Sequence, residues 1–190
     1  QALYAYFMKG VEPVAQENKN SDIPWPLSMR WPLAAWRWMF APEVADYQAA
    51  AGADPVISRG AYLVEGLGHC GACHTPRALT MQEKALSATD GNAFLSGSAP
   101  LEGWIAKSLR GDHKDGLGSW SEEQLVQFLK TGRSDRSAVF GGMSDVVVHS
   151  MQYMSENDLT AIARYLKSLP AVDPKDQPHQ YDKQVAQALW

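Results

Sequence analysis

Apolar positions along this chain fall into short runs of helical length, each opened by a capping residue and closed by glycine or proline, with polar stretches between them. The clearest run follows Asp54-Pro55. The aspartate can cap a first turn, proline suits the first helical position, and Val56 to Leu67 supplies the helix. Gly60 in its interior costs about 1 kcal/mol relative to alanine, which makes sense if the helix opening at Ser155 crosses closely there. Gly66 and Gly68 close the run. Ser121-Glu122-Glu123-Gln124 is a capping box, predicting a helix from Glu122 to Thr131 that Gly132 ends in the left-handed conformation. Ser155-Glu156-Asn157-Asp158 caps the last run, which stops at Leu169-Pro170. Gly103 to Arg110 also reads as helical. Thr75 to Pro100 is polar and weakly periodic, and reads as loops with a turn of helix near Gln82 to Leu86. No alternation of apolar strands is present, and the fold class expected is all-α.

Ahead of Asp54 the pattern changes. Residues 2–13 and 161–170 share one grammar: an aromatic-aliphatic pair, a lysine, and a proline stop. Aligning Tyr6 with Tyr165 gives an offset of 159 residues (165 − 6). Residues 1–53 are therefore expected to be the last helix of a preceding domain of the same kind, followed by a connector rich in tryptophan and proline. Within it, Pro24, Pro26 and Pro32 keep Ile23 to Met29 extended or turning, and Pro32 to Phe40 is predicted helical. Trp25, Trp31, Trp36 and Trp38 are expected to fill a seam between domains, with Trp36-Arg37-Trp38 the best candidate for outward contacts. Residues 54–170 form the main domain. Residues 171–190 read as a linker toward a following domain, in which Tyr181 to Trp190 starts another element.

Composition narrows the classes. The chain has 190 residues, 45% hydrophobic and 20% charged, with a net charge of −4. No basic stripe is present, which argues against nucleic acid as a partner. No uninterrupted apolar stretch reaches the roughly 18 residues that a membrane span requires. The chain opens on Gln1 without an initiator methionine, as expected of a processed or excised piece.

The chemistry is concentrated in Cys70-Gly71-Ala72-Cys73-His74, which holds both cysteines of the chain. C-x-x-C-H is the attachment signal of a c-type haem. Two thiols three positions apart can reach the two vinyl groups on one porphyrin edge, and the next histidine can ligate the iron from below. A redox dithiol expects a βαβ setting that is absent, a zinc site needs more ligands, and a disulfide within the motif would be strained. One covalent haem c is the expected cofactor, and its attachment points to the periplasm.

For the sixth ligand, a methionine thioether stabilises ferrous iron and raises the potential. Met8, Met29 and Met39 precede the domain, and Met81 is too close to His74 to reach the opposite face. Met143 is favoured because Phe140-Gly141-Gly142 lets the backbone approach the porphyrin. Met154 is next, with Met151 beside it at the Ser155 cap. His113 and His149 offer a rival bis-histidine ligation, whereas His69 adjoins Cys70 and cannot reach the distal face. Arg77, Arg110, Arg133 and Trp104 are candidate partners of the haem propionates, since guanidinium pairs with carboxylates and indole N–H donates.

These motifs carry a resemblance. Asp22-Ile23-Pro24-Trp25-Pro26-Leu27-Ser28-Met29-Arg30-Trp31-Pro32-Leu33, Gly68 through Arg77, Gly111-Asp112-His113, the Gly-Gly-Met approach and the closing Ala-Arg-Tyr-Leu-Lys-Ser-Leu-Pro are similar to the three-haem cytochrome c subunit of membrane-bound bacterial gluconate, alcohol, sorbitol and fructose dehydrogenase complexes. The resemblance implies a class I cytochrome c domain, with loops wrapping a haem held by Cys70 and Cys73 and ligated by His74 and Met143. It also implies partners: a flavin or pyrroloquinoline-quinone dehydrogenase subunit, neighbouring haem domains, and ubiquinone as the destination of the electrons. One haem motif stands where that family has three, so the chain reads as the middle domain, with the family's membrane anchor beyond Trp190. The function expected is electron transfer rather than catalysis. A haem peroxidase or a haem-based sensor would need an open or exchangeable sixth position.

Overall fold

Asp54 opens the main helical layer as the sequence predicts. Its Oδ1 accepts from the backbone N–H groups of Val56 at 2.7 Å and Ile57 at 3.1 Å, satisfying donors that a helix start otherwise leaves unpaired. In the computed structural model, which describes residues 2–26, 28–49, 52–100, 103–176 and 178, this helix is α3, Pro55–Ala61, and it continues as a π turn over Tyr62–Leu67. Before it come α1, Ala2–Ala5, and α2, Pro32–Phe40; after it come α4, Gly71–His74, α5, Glu122–Thr131, α6, Gly142–His149, and α7, Glu156–Ser168. Asp54→Ala is expected to cost about 1 kcal/mol and to lower the melting temperature by a few degrees, measured on the holoprotein.

The core forms where α3 and its π turn meet α5 and α7. Leu159, Ile162, Ala163 and Leu166 of α7, spaced three and four apart, are buried with Leu63 and Val64 of the π turn and Leu125 and Leu129 of α5. Each fully buried leucine contributes roughly 1.5–3 kcal/mol, so this stripe is what makes the short helices stable. Gly60 lies at the crossing: a Cβ there would stand 2.1 Å from the carbonyl oxygen of Ala161. Glu65 ties three pieces together, accepting from the Tyr165 hydroxyl and from the Ala88 N–H at 3.2 Å. Burial and the neighbouring Glu65 carboxylate hold the Tyr165 phenol protonated well above its ordinary range.

The capping box at Ser121 and the left-handed Gly132, φ 73°, end α5 as expected. Two expectations are corrected. Residues 103–110 are not helical. Ala106 accepts from Ser98 N–H at 3.0 Å and Leu109 N–H donates to Leu95 at 2.9 Å, so the 106–109 backbone pairs with the 95–98 backbone instead. The stretch 82–86 likewise forms no helix; a single 3₁₀ turn sits at Ala88–Asp90. Conversely α6 was unforeseen, because Val146-Val147-Val148 is β-branched and disfavours helix. Burial of Val147 at 4% exposure holds it in place.

The chain divides into two units, one ending at Val44 and the other beginning at Ala45. The first has no buried side chains among its described residues: Trp25, Trp31 and Trp38 are exposed, while Trp36 is half-buried and tilts on Phe40 at 5.7 Å. The second takes in residues ahead of Asp54, since the Tyr47 hydroxyl donates to the Ser58 carbonyl at 3.0 Å and its ring meets Tyr62 edge-on. Beyond Pro170, the N–H groups of Val172 and Asp173 donate to Asp112, and the Asp176 carboxylate accepts from the N–H groups of His113 and Lys114. The element expected over Tyr181 to Trp190 lies outside the described residues. Among the described residues, no helix is long and apolar enough to cross a membrane.

Candidate functional site

The π turn delivers the motif. Gly68 N–H donates to Leu63 at 2.6 Å and Cys70 N–H to Val64 at 3.1 Å, and His69 between them takes a left-handed φ of 45°. A Cβ at Gly68 would fall 2.7 Å from the Leu63 carbonyl oxygen, so the reversal requires glycine. Cys70 then starts the single turn α4, which ends on His74. Both cysteines are free thiols. Burial pushes the Cys70 thiol up to about 11, keeping it in the neutral form, whereas Cys73 is exposed.

His74 is fixed through one ring nitrogen. Its Nδ1 lies 2.7 Å from the carbonyl oxygen of Lys107. A carbonyl can only accept, so Nδ1 carries the proton and the Nε2 lone pair is left to bind a metal. Burial lowers the imidazole's proton affinity, an effect the Lys107 carbonyl partly offsets. The Lys107 carbonyl had no signature in the sequence, because any residue supplies one. Its position is set by the 95–98 pairing and by Gly97 N–H, which donates to the His74 carbonyl at 2.8 Å.

The remaining candidates separate. Met143 lies in the first turn of α6, half-buried against the core. Trp104 packs where a Cβ on Gly141 would be, 2.6 Å from that point, and stacks on Phe140 at 6.0 Å; the structure thus brings Trp104 to the start of the Met143 helix. Met151 is buried in the core at 6% exposure, and the Met154 carbonyl accepts from the Lys130 ammonium at 2.9 Å. The His113 N–H donates to Asp176, and His149 is exposed at the end of α6.

Among the arginines, Arg77 donates to the Met81 carbonyl at 2.7 Å and the Ala72 carbonyl at 2.9 Å, strapping its loop to α4. Arg133 is exposed. Arg110 is 2% exposed, with three N–H groups committed to Phe94, Asn92 and Pro170. Two buried carboxylates escaped the sequence reading. Glu83 lies 3.8 Å from Arg77 and 3.5 Å from His69, and Asp112 lies beneath the Lys107 loop. Acidic residues in polar loops carry no burial signal, and only the quoted Gly111-Asp112-His113 hinted at the second.

No family model matches the chain. Whole relatives do. The gluconate 2-dehydrogenase cytochrome c subunit of Pantoea cypripedii is 66% identical over 191 residues, covering 100% of this chain. The cytochrome c subunit of the quinone alcohol dehydrogenase of Gluconobacter oxydans (strain 621H) is 54% identical over 189 residues, also 100% of the chain. Over its whole length this chain is similar to part of the dehydrogenase cytochrome c subunits. It spans 43% of the first relative's length and 40% of the second's. The fructose dehydrogenase cytochrome subunit of Gluconobacter japonicus is 37% identical over 90% of the chain and 34% of its own length.

The residues of the motif and its surroundings fit a covalent haem. The two thiols are unpaired, the histidine presents Nε2, and Trp104, Ile105 and Phe140 leave apolar surface open at 52%, 63% and 64% exposure. No cluster of three or more His, Cys, Asp or Glu able to hold a bare metal ion occurs among the described residues. A single imidazole with a free Nε2 beside two thiols suits an iron whose other ligands come with a macrocycle.

Proposed function

We propose that the chain is an electron-transfer domain of the class I cytochrome c type, carrying one haem c through Cys70 and Cys73 with His74 and Met143 as axial ligands. The observation that supports this most is the Nδ1 bond of His74 to Lys107, which fixes the tautomer and aims a neutral imidazole from within C-x-x-C-H. Haem c, when bound, supplies a one-electron couple of iron. The protein's residues do the rest. His74 and Met143 would hold the iron, leaving no open position for a substrate, and the Met143 thioether would favour the ferrous state. Trp104, Ile105 and Phe140 would cover the bound haem, while Arg77, Arg110, Arg133 and Trp104 are the donors proposed for the propionates. The names of the relatives support a dehydrogenase subunit as partner. We further propose a periplasmic place between a flavin or pyrroloquinoline-quinone subunit and ubiquinone, by way of neighbouring haem domains.

Intact mass combined with spectra of the oxidised and reduced holoprotein tests the reading. One covalent haem is expected, with the ferric charge-transfer band at about 695 nm that marks thioether ligation. Met143→Ala should abolish this band, lower the potential and admit cyanide, while Met154→Ala should leave all three unchanged. A band that survives Met143→Ala would refute Met143 as the ligand.

A further inference from the structure

A chain of hydrogen bonds runs from the backbone of residues 172–173 to the loop that orients the proximal histidine. Asp112 is at its centre, buried at 8% exposure. Its Oδ1 accepts from the N–H groups of Val172 at 2.8 Å and Asp173 at 3.2 Å. Its Oδ2 accepts from the Ser108 hydroxyl at 3.2 Å. Ser108 is itself buried, and it directly follows Lys107, whose carbonyl receives the His74 Nδ1 proton. A reciprocal tie closes the strap, with Asp176 accepting from the N–H groups of His113 and of Lys114 at 3.3 Å. Gly111 permits the close approach, since a Cβ there would stand 2.9 Å from the Leu169 carbonyl oxygen.

We propose that Asp112 is a positioning residue for the proximal ligand, coupling the 172–176 strap through Ser108 and the Lys107 carbonyl to the imidazole of His74. The inference rests on His74 ligating the haem iron. Its logic is that a metal-bound imidazole is a stronger donor to iron when its second N–H is well held, because the carbonyl draws negative charge onto the ring. A well-held ring stabilises the ferric state. Loosening the strap lengthens the Nδ1 bond, weakens that stabilisation and raises the potential.

The test compares holoproteins of the full chain. Asp112→Ala should raise the midpoint potential and speed solvent exchange of the His74 Nδ1 proton by about tenfold, read by NMR. Asp112→Asn keeps an oxygen for the 172–173 amides and should restore most of both properties. Arg59→Ala removes a surface pair with Asp158 and controls for stability loss; it should move neither readout. If Asp112→Ala does not mature, Ser108→Ala cuts the same link and should shift both readouts in the same sense. An unchanged potential and exchange rate in the loosened variant would overturn the coupling alone. Absence of any iron-shifted His74 ring resonance in the native holoprotein would overturn the ligation, and the coupling with it.

Discussion

Gly60→Ala is expected to lower the melting temperature of the holoprotein by roughly 4–8 °C, against the direction that helix propensity alone dictates. In an open helix interior, alanine is favoured over glycine by about 1 kcal/mol. Here the added Cβ would stand 2.1 Å from the Ala161 carbonyl oxygen and 2.6 Å from the Tyr165 Cβ. Neither atom can rotate away: one is helix backbone and the other is a Cβ. The axes of α3 and α7 must separate, which disturbs the Leu159-Ile162-Leu166 stripe and gives an overpacking cost of about 3 kcal/mol or more. At roughly 2–4 °C per kcal/mol for a domain of this size, the net is a large loss. Gly66→Ala supplies the opposite sign. Nothing lies within 4 Å of its would-be Cβ, so it should be neutral or stabilising by up to about 1 kcal/mol. Thermal melts of both variants decide the point, and a Gly60→Ala protein as stable as the parent would show that the helices do not cross there.

The same pair of helices shows how far the sequence could be read. Caps, glycine stops and prolines are local signals, so α2, α3, α5 and α7 were legible within a residue or two. The Gly60 crossing was legible too, because a glycine in an otherwise good helix asks for a reason. What failed was decided by partners distant in sequence. The stretch 106–109 has acceptable helix formers, yet its backbone bonds to 95–98, and tertiary pairing overrides a propensity worth only tenths of a kcal/mol per residue. The site divides in the same way. C-x-x-C-H is a pattern of side chains and announces itself. The carbonyl of Lys107 and the burial of Asp112 depend on how two loops stack, and no residue type marks either.

Arg110→Met is expected to destabilise the holoprotein by about 3–5 kcal/mol, because it removes a buried charge around which three separate segments are organised. The guanidinium donates from Nε to the Pro170 carbonyl, and from its two terminal nitrogens to the Phe94 carbonyl and to Asn92 Oδ1, all at 3.0 Å. It thus joins the 92–94 loop to the segment just past α7. Burial lowers the proton affinity of the group, which the nearby Asp112 carboxylate opposes. Methionine fills the volume but leaves the buried Phe94 carbonyl and the part-buried Pro170 and Asn92 oxygens without their donor, the buried one costing about 1–3 kcal/mol and the others less. Arg110→Lys keeps the charge yet has one nitrogen where three are needed, and should recover no more than half of the loss. Urea denaturation followed at the haem absorbance measures both variants. A side chain whose chief partner was a haem propionate would instead give a shifted potential with nearly unchanged denaturation, and that result would return Arg110 to the role the sequence first suggested.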